Sequence, residues 1–160
     1  MLVMGIDPGL TTTGYGLVRG GGSPQAVVAG VIRTGTTDPT SERLRILHEQ
    51  LLALLRETGP DAVAIEQVFT NANRQTAVAV GRASGVALLA AAQAGLPVFE
   101  YTPTGVKAAV AGDGAADKRA VASMVARRLR LSEPPSPADA ADALAVALCH
   151  LQTAFVEVAS

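Results

Sequence analysis

The chain has 160 residues, of which 49% are hydrophobic and 17% charged, so it can bury a core of ordinary domain size and is too apolar for a disordered protein. Its single cysteine, Cys149, excludes a disulfide framework and a cysteine-based zinc site. The net charge of -1, from 13 basic and 14 acidic residues, counts mildly against a nucleic-acid-binding protein, unless several of the acids are gathered in one metal site.

The first elements are three predicted strands. Apolar runs over Leu2–Ile6, Thr13–Val18 and Ala26–Arg33 are separated by turn residues, which predicts an antiparallel meander. Beyond them, strands and helices alternate. We predict strands over Ala62–Ile65 and Pro97–Tyr101, and helices over Glu42–Glu57, Arg74–Gln93, Pro103–Val110, Asp117–Leu131 and Pro137–Gln152. This order predicts an α/β protein of one domain, residues 1–160, with a mixed five-stranded sheet flanked by helices, as in the ribonuclease-H-like architecture.

Two helix starts carry capping signals. Thr40 and Ser41 are suitable caps for the first helix. Before the last helix, Ser136 is the predicted N-cap and Pro137 the first helical residue, which makes Asp139 the third.

Four carboxylates carry the chemistry. Asp7 and Glu66 close the first and fourth predicted strands, and would emerge at one sheet edge if those strands are parallel neighbours. Asp139 and Asp142 are three residues apart and share a face of the last helix. Four converging carboxylates would repel one another unless cations offset them, and an all-oxygen set suits Mg²⁺ or Mn²⁺ rather than zinc. Two such ions would make a phosphoryl-transfer site.

Each acid alone also has an ordinary interpretation. Asp7 belongs to an Asp-Pro-Gly turn, Asp139 is an acid favoured by the helix dipole, and Asp142 is typical of a solvated face. Glu66 is harder to explain this way, because a charge that ends an apolar strand needs a partner or a water-facing edge. The combination, with both strand acids at strand ends, favours a site.

The chain resembles the RuvC family of Holliday-junction resolvases over nearly its whole length. The motifs that carry the resemblance are GIDPGLTTTGYG at Gly5–Gly16, AIEQVF at Ala64–Phe69, PVFEY at Pro97–Tyr101 and DAADALA at Asp139–Ala145. The resemblance implies that Asp7, Glu66, Asp139 and Asp142 bind metal, with two Mg²⁺ per subunit and Mn²⁺ as a substitute. It further implies a homodimer that nicks two like-polarity strands of a four-way DNA junction, leaving 5′-phosphate and 3′-hydroxyl ends, in partnership with the RuvA–RuvB branch-migration complex.

Basic and aromatic residues supply candidate DNA contacts. Lys107 and Lys118, the only lysines, match basic positions of the family, and lysine suits phosphate. Arg119 and Arg74 are weaker candidates. Phe69, in the loop after the fourth strand, could equally pack on the core, but the resemblance favours a role at the DNA crossover.

The chain departs from the family pattern at two places. The Gly-x-Gly-x-Ala-x-Lys stretch is kept over Gly112–Lys118, but Asp113 adds a negative charge there. The loop Thr70–Gln75 also differs, which leaves the preferred cleavage sequence open.

The long helix is the predicted dimer face. Its small residues Gly81 and Gly85 permit close approach of another helix, and its apolar residues occupy several faces. His48 and His150 are isolated, so we interpret them as structural or surface residues.

Three alternatives remain open at this point. A ribonuclease-H-like nuclease acting on structured RNA would share the four acids. The opening hairpin also resembles that of actin-like sugar kinases and ATPases, although these use two such domains. The last is a non-catalytic junction-binding module, which would not explain the acids.

Long apolar runs are interrupted and the chain opens without a signal-like pattern, so we expect no membrane span and a cytoplasmic protein.

Overall fold

The computed structural model describes residues 1–67 and 74–158, with side chains up to residue 154. Five strands form one mixed sheet in the order β3-β2-β1-β4-β5. The strands are β1 (Leu2–Asp7), β2 (Thr12–Arg19), β3 (Gln25–Arg33), β4 (Ala62–Glu66) and β5 (Val98–Tyr101). The helices are α1 (Thr40–Thr58), α2 (Arg74–Gln93), α3 (Pro103–Ala111), α4 (Lys118–Leu129) and α5 (Ala138–Val158). The predicted order of elements and the predicted fold class are confirmed.

The strand pairing confirms the predicted antiparallel meander and adds two parallel pairs. β1 is antiparallel to β2, and β2 to β3, so the opening is a meander. β1 is parallel to β4, and β4 to β5. Because β1 and β4 are parallel neighbours, their carboxyl ends lie side by side at one edge of the sheet.

The sheet separates two hydrophobic cores. One face, with Met4, Ile6 and Ile65, packs against leucines of α1 and alanines of α2. The other face, with Val3 and Ala64, packs against α3, α4 and α5. Alternate residues of each strand serve opposite cores, which is why β1 and β4 are apolar throughout instead of alternating with polar residues.

Helix α5 lies unusually close to β1 and β2 because glycines replace side chains beneath it. A Cβ added at Gly5 would lie 2.0 Å from the backbone oxygen of Ala143, and one at Gly14 would lie 2.0 Å from that of Asp139. At Gly16 the added atom would meet the Leu144 side chain at 2.7 Å. These contacts set how close α5, and the acids it carries, can come to the end of β1.

Several predicted helix ends are wrong by a few residues. Thr40 and Ser41 do not cap α1: Pro39 is the cap, makes no side-chain capping bond, and its carbonyl accepts from backbone N–H groups of the first turn. Helix α5 begins at Ala138, so Pro137 precedes the helix and Asp139 is the second helical residue. Helix α4 is shorter than predicted because the Asp117 side chain caps it and its C-cap residue is left-handed.

Helix α2 departs from the expectation of no membrane-length segment. By length and composition alone, it is the one helix in the described residues that could cross a membrane. Only part of it is buried: Ala83, Ala87 and Ala91 pack in the core beside α1, whereas Val78 and Leu89 are exposed.

The close packing of α5 predicts that Gly5→Ala is strongly destabilising. The new methyl group would overlap a helix backbone that cannot move without displacing the core, so we expect a loss of more than about 2 kcal/mol in the free energy of unfolding. Urea denaturation of both proteins measures this. In the matched control Gly22→Ala, the added Cβ meets nothing within 4 Å, and the change should stay within about 0.5 kcal/mol. Equal stability of the two variants would contradict the packing argument.

Candidate active site

A polar cavity of about 200 Å³ opens at the carboxyl ends of β1 and β4. Its charged lining residues are Asp7, Glu66, Asp142, Lys107 and Lys118. Its apolar wall comes from Pro103 and Val106 of α3, Val121 of α4 and Ala145 of α5. Parts of the chain far apart in sequence therefore converge on one concave site.

The sheet register brings the first two acids together. Ile6 of β1 is paired with Ile65 of β4, so the next residues along, Asp7 and Glu66, leave neighbouring strands at the same level. Helix α5 then adds Asp142 to the cavity. Asp139, near the start of α5, lines an adjoining groove of about 450 Å³ instead.

Burial and like charge act together on Asp7. Burial is the largest cause and repulsion from Glu66, Asp142 and Asp139 acts in the same direction, so that the pKa of its carboxyl rises from the ordinary 3.8 to about 7. Lys118 opposes this shift. All four predicted carboxylates are thus close enough to influence one proton.

The pKa of Glu66 is raised for similar reasons. Burial raises its pKa above the ordinary range, with repulsion from Asp142 as the next cause. The charges of Lys118 and Lys107 lower it. The charges of both lysines therefore act on the acid site, whereas the sequence predicted the two lysines only as phosphate contacts.

Lys118 makes a direct ion pair within the site. Its Nζ donates to Oδ2 of Asp142 at 2.9 Å, and this bond raises the pKa of the lysine. The lysine side chain is 78% exposed and that of Asp142 only 20% exposed, so the ammonium lies at the cavity mouth.

The oxygen ligands of the four acids suit a hard divalent cation, although their side chains do not stand close enough together to coordinate one in this structure. Within residues 1–67 and 74–154, no three His, Cys, Asp or Glu side chains stand close enough to hold a metal ion. The fit lies in the chemistry: the acids offer only oxygen ligands, and the pKa of Asp7 is raised first by burial and then by the negative charge of its neighbours, which a cation would offset. Asp7, Glu66, Asp142 and Asp139 are the residues that would hold it.

The other predicted DNA-binding residues have different positions. Lys107 lines the cavity, whereas Arg74 and Arg119 are exposed near the starts of α2 and α4. Phe69 lies outside the described residues. Asp113 accepts a hydrogen bond from the backbone N–H of Ala115 at 2.8 Å.

The two histidines have structural settings, as predicted. His150 is buried and hydrogen-bonded to the hydroxyl of Tyr101 at 2.7 Å. His48 lies against Gln93 at 2.7 Å. Phe99 is 43% exposed and rests on the ring of His150.

Sequence reasoning missed a polar network beside the site. Arg43 of α1 donates to the hydroxyls of Thr34 and Thr11, and Thr34 donates to the carbonyl of Leu10. These bonds tie the turn that follows Asp7 to α1. No spacing rule connects an arginine in a helix to a turn about thirty residues earlier.

A mixed five-stranded sheet with acids at the carboxyl ends of its central strands defines a nuclease-type ribonuclease-H-like fold. The family model for crossover junction endodeoxyribonuclease RuvC matches residues 3–150. A crossover junction endodeoxyribonuclease RuvC of Salinispora arenicola is 54% identical over 94% of this chain and 87% of its own length. The chain belongs to the RuvC family of crossover junction endodeoxyribonucleases.

Solved structures agree with this assignment. Thermus thermophilus RuvC in complex with a Holliday junction substrate superposes with a TM-score of 0.93 at 42% identity, covering 98% of this chain and 96% of its own. The yeast mitochondrial Holliday junction resolvase Ydc2 has a TM-score of 0.66 at 14% identity, covering 94% of this chain and 78% of its own, and shows a similar fold.

The pKa of Asp7 predicts an unusual pH dependence of stability. In the unfolded chain Asp7 loses its proton near pH 3.8, but in the fold it keeps the proton to about pH 7. The folded state therefore loses stability relative to the unfolded state as the pH rises from about 4 to 7. We expect Asp7→Asn in EDTA to be more stable than the parent at pH 8, by up to about 4 kcal/mol, and similar at pH 4.

Chemical denaturation at the two pH values tests this prediction. Asp38→Asn, at an exposed position before α1, is the control and should show no such pH-dependent difference. A variant Asp7→Asn that is less stable than the parent at pH 8 would show that the carboxyl is not under the proposed electrostatic strain.

Proposed function

We propose that this protein is a structure-selective endodeoxyribonuclease that resolves four-way DNA junctions by paired symmetric nicks, acting as one nuclease domain over residues 1–160. The observation that carries the proposal is the convergence of four carboxylates, in a member of the RuvC family, at the edge of the sheet where Asp7 and Glu66 emerge. A RuvC of similar structure is described in complex with a Holliday junction, which supports the same substrate here.

We assign catalysis and metal binding to Asp7, Glu66, Asp139 and Asp142. When bound, two Mg²⁺ ions, or Mn²⁺ in their place, would supply an activated water and stabilise the leaving 3′-oxygen, giving 5′-phosphate and 3′-hydroxyl ends. The chain's own contribution is to hold the acids at fixed positions on β1, β4 and α5. The apolar residues of α3 and α4 restrict access of water to one side of the cavity. Because less water screens the charges there, electrostatic interactions in the cavity are stronger.

The lysines have a role separate from that of the acids. Lys107 in the cavity wall and Lys118 at its mouth offset the negative field that would otherwise repel a phosphodiester. Arg74, Arg119 and Phe69 remain weaker proposed DNA contacts. This arrangement explains how a chain with a net charge of -1 can bind a polyanion.

Cleavage of a synthetic four-way junction in Mg²⁺ tests the proposed function. We expect symmetric nicks in the junction and none in a linear duplex of the same sequence. Glu66→Gln should retain junction binding while lowering the cleavage rate by two or more orders of magnitude, because charge and metal binding dominate phosphoryl transfer.

The matched control is Glu57→Gln, an exposed glutamate at the end of α1, which should cleave at the parental rate. Several junction sequences are needed because the sequence preference is open. A Glu66→Gln protein that cleaves within tenfold of the parent would contradict the site assignment. Preferential cleavage of a structured RNA would favour the RNA-nuclease alternative instead.

We further propose a homodimer formed through the exposed face of α2. Val78 and Leu89 are 53% and 51% exposed, and within the described part of the chain no atom lies within 4 Å of a Cβ added at Gly81 or Gly85. A two-fold assembly through this face would give one active site per subunit and match the symmetry of a four-way junction. Cytoplasmic location and cooperation with the RuvA–RuvB complex are proposed from the family resemblance alone.

Analytical ultracentrifugation tests the dimer. Leu89→Glu should shift the protein toward the monomer, because a charge in an apolar interface is costly to desolvate. Val27→Glu, at a residue of β3 that is 49% exposed, is the matched control and should leave the dimer intact. A parent protein that sediments as a monomer at micromolar concentration would refute this proposal.

A further inference from the structure

A second groove adjoins the acid site, and apart from Asp139 its residues have no part in the catalytic assignment above. Its volume is about 450 Å³, and it is lined by the turn from Gly9 to Thr12 and by the start of α2. Asp139 of α5 also lines it, and the charge of Asp139 acts on Asp7 in the acid site. Its polar lining residues are Thr11, Thr12, Gln75, Thr76 and Asp139. Hydroxyl and amide groups of this kind are typical contacts for a sugar–phosphate backbone.

Thr11 is held in one hydrogen-bonding role by Arg43. Nη2 of Arg43 donates to Oγ1 of Thr11 at 2.8 Å, and Nε of the same guanidinium donates to Oγ1 of buried Thr34 at 3.0 Å. Thr34 in turn donates to the carbonyl of Leu10 at 2.6 Å. Because the oxygen of Thr11 accepts from Arg43, its own hydroxyl hydrogen is directed away from the arginine, and this exposed side chain is prepared to donate to an acceptor.

Arg43 also differs from a neighbouring arginine in its charge balance. Arg45 forms ion pairs with Glu42 and Glu49. Arg43 is half-buried and has no part in any ion pair among the described residues. A guanidinium held only by neutral hydroxyls retains its full positive field, which favours an anion nearby.

We propose that Thr11 binds a backbone phosphate of the DNA strand that passes through this groove to the acid site, and that Arg43 is its positioning residue. Arg43 orients the Thr11 hydroxyl and supplies the positive charge behind it. The inference rests on the proposed function, because it takes the groove's occupant to be the strand that the acids cleave. The shared residue Asp139 is the link between the groove and the site.

The test measures junction affinity over a range of salt concentrations in a Glu66→Gln background, where cleavage does not interfere. Thr11→Val removes the hydroxyl but keeps the shape, and should raise Kd about tenfold, the usual effect of one hydrogen bond to a charged group, without changing the salt slope. Thr11→Ser keeps the hydroxyl and should restore affinity. Arg43→Gln should raise Kd by at least as much and reduce the magnitude of the salt slope by about one.

Controls separate binding from folding. Arg45→Gln, on the same helix, should leave Kd within about twofold, because the pairs it breaks are exposed and contribute little. Since Thr11 depends on Arg43 for its orientation, the double variant Thr11→Val/Arg43→Gln should bind no more than about twofold more weakly than Arg43→Gln alone.

Three results would overturn the inference: an unchanged Kd in Thr11→Val, an equal defect in Thr11→Ser, or an unchanged salt slope in Arg43→Gln. Each of them can occur while the parent still binds and cuts junctions, so the proposed function would stand. A parent protein that neither binds nor cuts junctions would overturn both.

Discussion

The contact between helix α5 and the glycines of β1 and β2 is the constraint on which the acid site depends. With no side chain at Gly5 and Gly14, the helix backbone lies directly on the strands, and the carbonyl of Asp139 occupies the space that a Cβ would need. Two of the four acids are therefore placed by backbone packing rather than by a flexible loop. A rigid attachment of this kind is what a site requires when its function depends on the distance between like charges.

Repulsion among these carboxylates raises the free energy of the folded state, and the nearby lysine offsets it only in part. Its burial and its acidic neighbours favour the protonated form of Asp7. Lys118 offsets the charge of one of these neighbours, Asp142, through an ion pair. Since a protonated Asp7 is a poor metal ligand, cation binding and proton release at this site are linked. The pH dependence of stability and the proposed binding of a divalent ion are thus both linked to the burial and crowding of Asp7.

Much of this arrangement could be predicted from the sequence because its signals are local. Apolar runs that end in Asp7 and Glu66 identify two buried strands with acids at their ends. That the two strands are parallel neighbours is only a condition of the prediction, which the structure fulfils. What escaped prediction depends on contacts between distant segments. The Lys118–Asp142 pair joins two helices, and the Arg43–Thr11 bond joins a helix to a turn. The start of α5 was misplaced because the serine-proline signal at 136–137 lies outside the helix rather than at its cap.

Diffraction from crystals soaked in Mn²⁺, recorded at a wavelength where manganese scatters anomalously, tests the central claim most directly. If the crowded carboxylates form a cation site, anomalous density will lie between Asp7, Glu66 and the acids of α5, and Lys118 will have left Asp142. The same experiment with Asp7→Asn should show weaker density or none. Manganese bound elsewhere, or no manganese while the Lys118–Asp142 pair persists at saturating concentrations, would contradict the account.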